Sequence, residues 1–325
     1  MDSQKLNKII VVGDSCEDLF FKVDRIPAVG ETLDAQGSSK SFGGKGANQA
    51  VGVARLGYQV EMLSQLGNDS QGRQLKALFE EYGVQTYNMK LLDSVDTGIG
   101  FILQLRSGNN VVISVGGANT AYDKDMTTFD SEWVQAIQSS KILLLQRLIP
   151  DYVNLVAAKI AKEAGVTVIL DVGGMQSHVL PELIKFVDYI SPNETEVARM
   201  LGLQLTGDKA ELDQELERFI RKYPHVKVVL KLGEKGCSYL WLENDEIKSI
   251  SKVAYSFSDY PELQLADTAG AGDSYMAGFA CKLLDECSIE ECMEYGNKCG
   301  FLCVSKAGTM NAVPSKEEIE KTFSK

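Results

Sequence analysis

The sequence predicts an α/β fold: a doubly wound, mainly parallel sheet flanked by helices, with a small β-sheet set over it. Lys8-Ile-Ile-Val-Val-Gly13 is a short β-branched run stopped by glycine, as a strand covered on both faces requires. Between residues 142 and 230, strand-like apolar runs alternate with segments of helical periodicity, the order of a parallel sheet with crossover helices. Segments near 19–42 and 97–116 instead read as short strands interrupted by turn residues.

In chain order, Asp14-Ser-Cys-Glu-Asp18 follows the first strand, at the carboxyl edge where such sheets bind ligands. Phe20 to Phe42 is broken by Pro27, Gly30 and Gly37. Gly43-Gly-Lys-Gly-Ala-Asn48 leads into a helical run, Ala50, Val51, Val53, Ala54 and Leu56, closed by Gly57. Asp69 and Ser70 can cap a helix through Leu75, Leu78, Phe79 and Tyr82, ended by Gly83. Thr97 to Val115 reads as two strands about a turn at Ser107-Gly-Asn-Asn110. A strand at Ile142–Leu145, a helix at Tyr152–Ala164 and strands at Val166–Leu170 and Tyr189–Ile190 come next. Helices at Glu194–Leu201 and Asp213–Lys222 and a strand at Val226–Leu230 complete the alternation. Tyr255 to Pro261 is loop-like, and Tyr275, Met276, Phe279, Leu283 and Leu284 recur at helical spacing. Ser288 with Glu291 makes a capping box for the last long helix. No repeat, low-complexity stretch or linker divides residues 1–325, so one domain is expected.

Composition narrows the function classes. The chain is 44% apolar and 24% charged, an ordinary globular balance. It has no apolar run long enough to span a bilayer and a polar start, so a cytoplasmic protein is expected. A net charge of −12 argues against nucleic acid or an anionic membrane surface as the main partner. The seven cysteines, without a Cys-x-x-Cys pair, form neither a disulfide framework nor a zinc site. Cys292, Cys299 and Cys303 share one helical face and read as buried thiols. The only histidines, His178 and His225, read as surface or packed residues.

The chemistry-bearing stretch is Asp267-Thr-Ala-Gly-Ala-Gly-Asp273, just ahead of a helical run. Glycines at a helix start leave the first N–H groups open to an anion. On local residues alone Asp273 reads first as an N-cap. A carboxylate beside a phosphate cradle also fits a base that strips a hydroxyl during phosphoryl transfer. Gly43-Gly-Lys-Gly46 is neither a Walker loop nor the dinucleotide fingerprint. Asn193 can cap the helix that follows it, with Glu196 at its positive end. Gly233 and Gly236 read locally as turn glycines, and Asp18 as a loop acid or a partner for sugar hydroxyls.

These stretches closely resemble the two signatures of the PfkB family of carbohydrate kinases, and the match runs along nearly the whole chain in the right order. The resemblance to its ribokinase members implies ATP-dependent phosphorylation of a primary hydroxyl, with Asp273 as base and Gly270, Ala271 and Gly272 forming the anion hole. It implies that Asp18, Gly44, Lys45, Gly46 and Asn48 bind the sugar, with Cys16 and Leu148 at two further substrate positions. It assigns ATP to Asn193, Lys231, Gly233, Gly236, Gly272 and Asn297. Asn193 and Glu196 would organise Mg2+ through water, as suits an ion that keeps its hydration. A monovalent cation, K+ as a possible activator, would lie among Asp267, Ala269, Cys303, Lys306, Gly308 and Ala312, mostly on backbone carbonyls. The small sheet would be a lid and the contact of a homodimer, and Gly116-Gly-Ala-Asn119 the return from lid to core.

The chain departs from the ribokinase pattern at three of these positions. Cys16 stands for Asn and Leu148 for Glu, and Ala312 stands where Ser is frequent. Loss of a hydrogen bond to a charged group is worth about 1.5–3 kcal/mol, or roughly ten- to a hundred-fold in affinity for ribose. D-ribose is the first expected acceptor. A nucleoside or another small molecule is the alternative, and a catalytically silent sugar-binding protein is a second, disfavoured by the intact Asp273, Asn193 and Glu196.

Overall fold

The computed structural model describes residues 6–106, 110–174, 177–202 and 209–324. The first strand, β1 (Lys8–Val12), is buried throughout, and two strands of the small sheet follow, β2 (Cys16–Val23) and β3 (Gly37–Gly43). Helix α1 (Lys45–Arg55) then returns the chain to β4 (Gln59–Leu63). A short strand β5 (Gln65–Gly67), helix α2 (Ser70–Glu81) and strand β6 (Lys90–Leu92) lead to β7 (Gly98–Leu105) and β8 (Asn110–Val115). Next come α3 (Ser131–Gln138), β9 (Ile142–Gln146), α4 (Asp151–Glu163), β10 (Thr167–Asp171), α5 (Pro181–Ile184) and β11 (Tyr189–Ser191). They are followed by α6 (Glu194–Leu201), α7 (Lys209–Lys222), β12 (Lys227–Lys231) and the hairpin β13 (Cys237–Glu243) and β14 (Glu246–Lys252). Helices α8 (Ala271–Leu284), α9 (Ile289–Val304) and α10 (Lys316–Phe323) close the chain.

The large sheet has the order β14-β13-β12-β11-β10-β9-β1-β4, parallel from β12 to β4 and antiparallel through the hairpin. Because successive side chains of a strand point to opposite faces, Ile9 and Val11 serve one core and Ile10 and Val12 the other. The first core packs α1, α2, α8 and α9 against the sheet; the second packs α3, α4, α6 and α7. Strand order reverses between β1 and β9, and in open α/β sheets the ligand crevice lies beyond the carboxyl ends at such a point. Gln146, Asp171 and Lys231 are the last residues of β9, β10 and β12, so three polar side chains end on that edge.

The small sheet, β3-β2-β7-β8, stands beside this edge. Its boundaries correct the sequence reading in two places. Cys16 and Asp18 belong to strand β2 rather than to a loop, and Gly37 opens β3 instead of interrupting it. Asp18 pairs with Gly100 of β7, and its carboxylate occupies the space that a Cβ would need at both Gly43 and Gly100. The predicted turn after β7 falls largely outside the described residues.

Elsewhere the predicted helices and strands recur within a few residues, Asp69 caps α2, and Ser288 and Glu291 form the expected box on α9. The hairpin β13–β14, strands β4 to β6 and helix α3 are additions that the sequence reading did not place. His225 Nε2 lies 3.1 Å from the Ile184 carbonyl, and His178 packs under Gly202 at the end of α6. All seven cysteines are free thiols. Among the described residues no helix is long and apolar enough to cross a membrane.

Arg147, just beyond β9, is buried and donates to Asp151 Oδ1 and Oδ2 at 3.0 and 2.7 Å. It also holds the backbone carbonyls of Ser177 and His178, tying the β9 exit to the segment after β10. Arg147→Met strands the Asp151 carboxylate in the interior. It should cost about 3–5 kcal/mol of stability in urea unfolding, and a loss under about 1 kcal/mol would refute the structural role assigned to this pair.

Candidate active site

The site begins at the start of α1. Gly44, its N-cap, has φ of 106°, a backbone conformation that favours glycine. A Cβ on Gly46 would sit 2.8 Å from the Asp14 backbone, so α1 abuts the end of β1 only because residue 46 has no side chain. Asp14 caps the helix from outside it. Its Oδ1 accepts from the Gly46 amide at 3.0 Å and its carbonyl from Ala47 N at 3.0 Å.

This clamp fixes the side chains of the first turn. Lys45 Nζ lies 3.5 Å from both Asp171 Oδ1 and Asp273 Oδ1. Asn48 donates to Asp273 Oδ2 at 2.9 Å, while its Oδ1 is buried with no partner among the described residues, an acceptor open to a hydroxyl. Gln49 Nε2 reaches Asp171 Oδ2 and Asp273 Oδ1 at 3.4 Å each, and Gln49 Oε1 accepts from Gln146 Nε2 at 2.7 Å. Burial opposes the Lys45 charge, but Asp171, Asp273, Glu196 and Asp14 together hold the ammonium above its ordinary pKa.

Across the crevice, α8 starts at Gly270, which has φ of 74° and no side-chain cap. Among the described residues the Gly272 and Asp273 amides find no acceptor, whereas the Ala271 amide makes a long bond, 3.4 Å, to the Thr268 carbonyl. The open donors on the first turn of the helix are therefore those of Gly272 and Asp273, of which Gly272 is one of the expected three, Gly270, Ala271 and Gly272. Lys231 Nζ lies 3.6 Å from where a Gly272 Cβ would be, and donates to Asp171 Oδ2 at 2.9 Å. Burial pushes the Asp171 carboxyl up, but the Lys231 and Lys45 ammoniums outweigh it and hold the group below the usual carboxylate range.

Asn193 and Glu196 form a reciprocal capping box on α6, so the capping reading of Asn193 is correct as geometry. Glu196 Oε2 is used in the cap; Oε1 points to Gly173 and towards Lys45. Gly233 and Gly236 flank a single helical turn with φ of 58° and 98°. Asn297 donates to the Val253 carbonyl at 3.1 Å. Leu148, half-buried, lies against Gly174.

Behind α8, Asp267 Oδ1 accepts from Ala269 N at 3.0 Å, and Cys303 Sγ lies 3.6 Å from the Ala269 carbonyl. Gly270 packs against Cys303 and Thr309, which joins this turn to the segment carrying Gly308 and Ala312. Lys306 is drawn off to Glu318.

A buried carboxylate at an uncapped helix start, ringed by amide and ammonium donors, suits proton removal next to an anion. The sequence pattern of the pfkB family carbohydrate kinases matches residues 6–316. The chain belongs to that family. It is 35% identical to the ribokinase of Arabidopsis thaliana over 319 residues, 96% of this chain and 80% of the relative. It is 31% identical to the ribokinase of Haemophilus influenzae, over 95% of this chain and 96% of the relative. The structure of Arabidopsis thaliana ribokinase complexed with ribose and ATP superposes with a TM-score of 0.85 at 33% identity, covering 97% of each chain. Thermotoga maritima ribokinase gives 0.81 at 30% identity, covering 98% of this chain and 99% of that one.

In this pfkB-family kinase, three polar residues of the site escaped the sequence reading: Asp14, Gln49 and Asp171. Asp171 had a usable signal, a lone acid ending an apolar parallel strand at the ligand edge. Asp14 had its place just past β1 on the same edge, and Gln49 had none, because its partners lie 97 to 224 residues away.

Burial pushes Asp14 up to about 6, against the Gly46 amide that lowers it and with Asp273 raising it further. A group that binds its proton more tightly folded than unfolded costs stability as pH climbs from its ordinary 3.8 through about 6. Asp14→Asn removes that cost while keeping an acceptor for Gly46. Its urea stability should therefore fall less than that of the wild type between about pH 4 and about pH 6, and equal slopes would show that Asp14 does not titrate in this window.

Proposed function

We propose that the protein is an ATP-dependent sugar kinase that phosphorylates the primary hydroxyl of a pentose, D-ribose first among acceptors. The observation that carries this reading is Asp273: a buried carboxylate set by Asn48 and Lys45, on the same helical turn as two open amides. The acceptor hydroxyl gives its proton to Asp273 as its oxygen bonds to the γ-phosphorus. The bond from that phosphorus to the β–γ bridging oxygen breaks and ADP leaves. The turn at Gly270, Ala271 and Gly272 would present the open amides of Gly272 and Asp273 to the charge on the transferred group.

Asp18, Gly44, Lys45, Gly46 and Asn48 would bind the sugar, and Lys231, Gly233, Gly236, Gly272 and Asn297 the nucleotide. Mg2+ would arrive with ATP and neutralise phosphate charge. Asn193 and Glu196, paired at the start of α6 with Glu196 Oε1 left out of the cap, would hold the ion through its water. The adjoining turns with Asp267, Ala269, Cys303, Gly308 and Ala312 suit a K+ activator held mainly by carbonyls; Lys306, paired with Glu318, would add only its backbone. Exposed Val112, Ile113 and Val115 on β8 support a homodimer through the lid, and a cytoplasmic enzyme is the accompanying reading.

A nucleoside acceptor is the second reading. It is favoured by Leu148, which offers no hydrogen bond at the crevice, and by Cys16, whose thiol is spent on Asp18 at 3.6 Å. Turnover of ATP with Mg2+ and K+ against ribose, 2-deoxyribose, fructose, adenosine and inosine separates the two. Ribose with a low KM supports the first reading, a better nucleoside the second, and no turnover would overturn both.

Asp273→Asn should lower kcat by roughly 10² to 10⁴ with the sugar KM changed far less, since it removes the base and not the binding groups. Full activity in that variant would remove Asp273 from the chemistry. Burial also raises Asp18 to about 6, partly offset by the Cys16 thiol. The ionised carboxylate accepts hydroxyls better than the neutral acid, so the sugar KM should fall as pH rises through about 6, and Asp18→Asn should lose this dependence.

A further inference from the structure

We infer that Asp171, Lys45 and Lys231 form a phosphoryl clamp: Asp171 is a positioning residue that seats both ammonium groups, and Lys231 is the one that takes the γ-phosphate. The inference rests on the phosphoryl-transfer reading above. It starts from the crowding on Asp171, which is buried at the end of β10. Its Oδ2 accepts from Lys231 at 2.9 Å and Gln49 at 3.4 Å, and its Oδ1 from the Gly173 amide at 3.0 Å and Lys45 at 3.5 Å. Both oxygens are engaged, so one carboxylate meets an ammonium group on each oxygen, Lys45 on Oδ1 and Lys231 on Oδ2.

The lysines have different second neighbours. Lys45 reaches the Asp273 carboxylate, the proton-accepting side of the crevice. Lys231 runs alongside Gly272, its Nζ, Cδ and Cε within 3.6 to 3.8 Å of a Cβ built there, so it stands beside the open amides of Gly272 and Asp273. An ammonium has three donors, and Asp171 accounts for one on Lys231. The others, together with the two amides, make one anion-binding surface at the start of α8. A buried ion pair contributes little net stability, so stability does not explain placing this pair where two strand ends meet a helix start.

When the acceptor oxygen bonds to the γ-phosphorus and the bond to the bridging oxygen breaks, charge spreads over the transferred oxygens. Lys231 would meet that charge, and Asp171 would keep Lys231 from folding back onto Asp273.

The clamp predicts a contrast between nucleotides that needs no sugar. Calorimetric titration of ATP and of ADP, both with Mg2+, should show that Lys231→Met weakens ATP by about ten- to a hundred-fold while ADP affinity is kept. Asp171→Asn should weaken ATP less. The double variant, which removes both charges and avoids a lone buried carboxylate, should resemble Lys231→Met alone, because Asp171 acts through the lysine. Lys231→Arg should retain part of the preference for ATP. Equal weakening of ATP and ADP, no weakening, or effects of the two single variants that multiply in the double one would each overturn the clamp. If wild type phosphorylates none of the sugars yet the ATP contrast depends on Lys231, the clamp stands and the acceptor reading falls. If ribose is turned over but the contrast survives Lys231→Met, the clamp falls alone.

Discussion

Lys45 is the charge on which the site depends. Three buried carboxylates, Asp14, Asp171 and Asp273, gather where the carboxyl ends of β1 and β10 face the start of α8, and each feels its ammonium. Unpaired carboxylates so buried would take up protons, and Asp14 already holds its proton more tightly than usual. Lys45 can serve this role only because Gly44 adopts a positive φ and Gly46 lets α1 press against β1. The glycines of this stretch thus act on the chemistry through the backbone, by setting where one side chain begins.

From that point the site divides along the chain. The amino-terminal half supplies the side facing the small sheet. Asp18 reaches the crevice from β2 through a gap that exists because Gly43 and Gly100 lack side chains. The carboxyl-terminal half supplies the facing side, with Lys231 from β12 and the bare start of α8. Asp273 and Asp171 lie on the boundary, joined through Gln49. The uncapped start of α8 leaves the Gly272 and Asp273 amides without an acceptor among the described residues, the arrangement with which a helix end accommodates an anion.

Cys16 and Leu148 alter this arrangement without touching the carboxylate network. The Cys16 thiol, which burial and then Asp18 push well above its usual pKa, remains a weak neutral donor to Asp18. Leu148 adds an apolar wall beside Gly174. Both change the polarity of the crevice wall and leave the contacts among Asp171, Asp273, Lys45 and Gln49 as they are.

The sequence by itself determined the fold class, most parallel strands and crossover helices, the Ser288–Glu291 capping box and the position of the glycine-rich turn that opens α8. Those features are local: periodicity, β-branching and glycine placement act over a few residues. It also carried both kinase signatures, because close backbone approach demands particular residues in fixed order. Only the tertiary structure decided that Cys16 and Asp18 sit on a strand, that the open amides are those of Gly272 and Asp273, and that a hairpin extends the sheet. It alone brought Lys45 to Asp273 across 228 residues and Lys231 to Asp171 across 60. The physical reason is that a buried charge is specified by what surrounds it in space, and an acid at a strand end looks the same in sequence whether water or a lysine faces it.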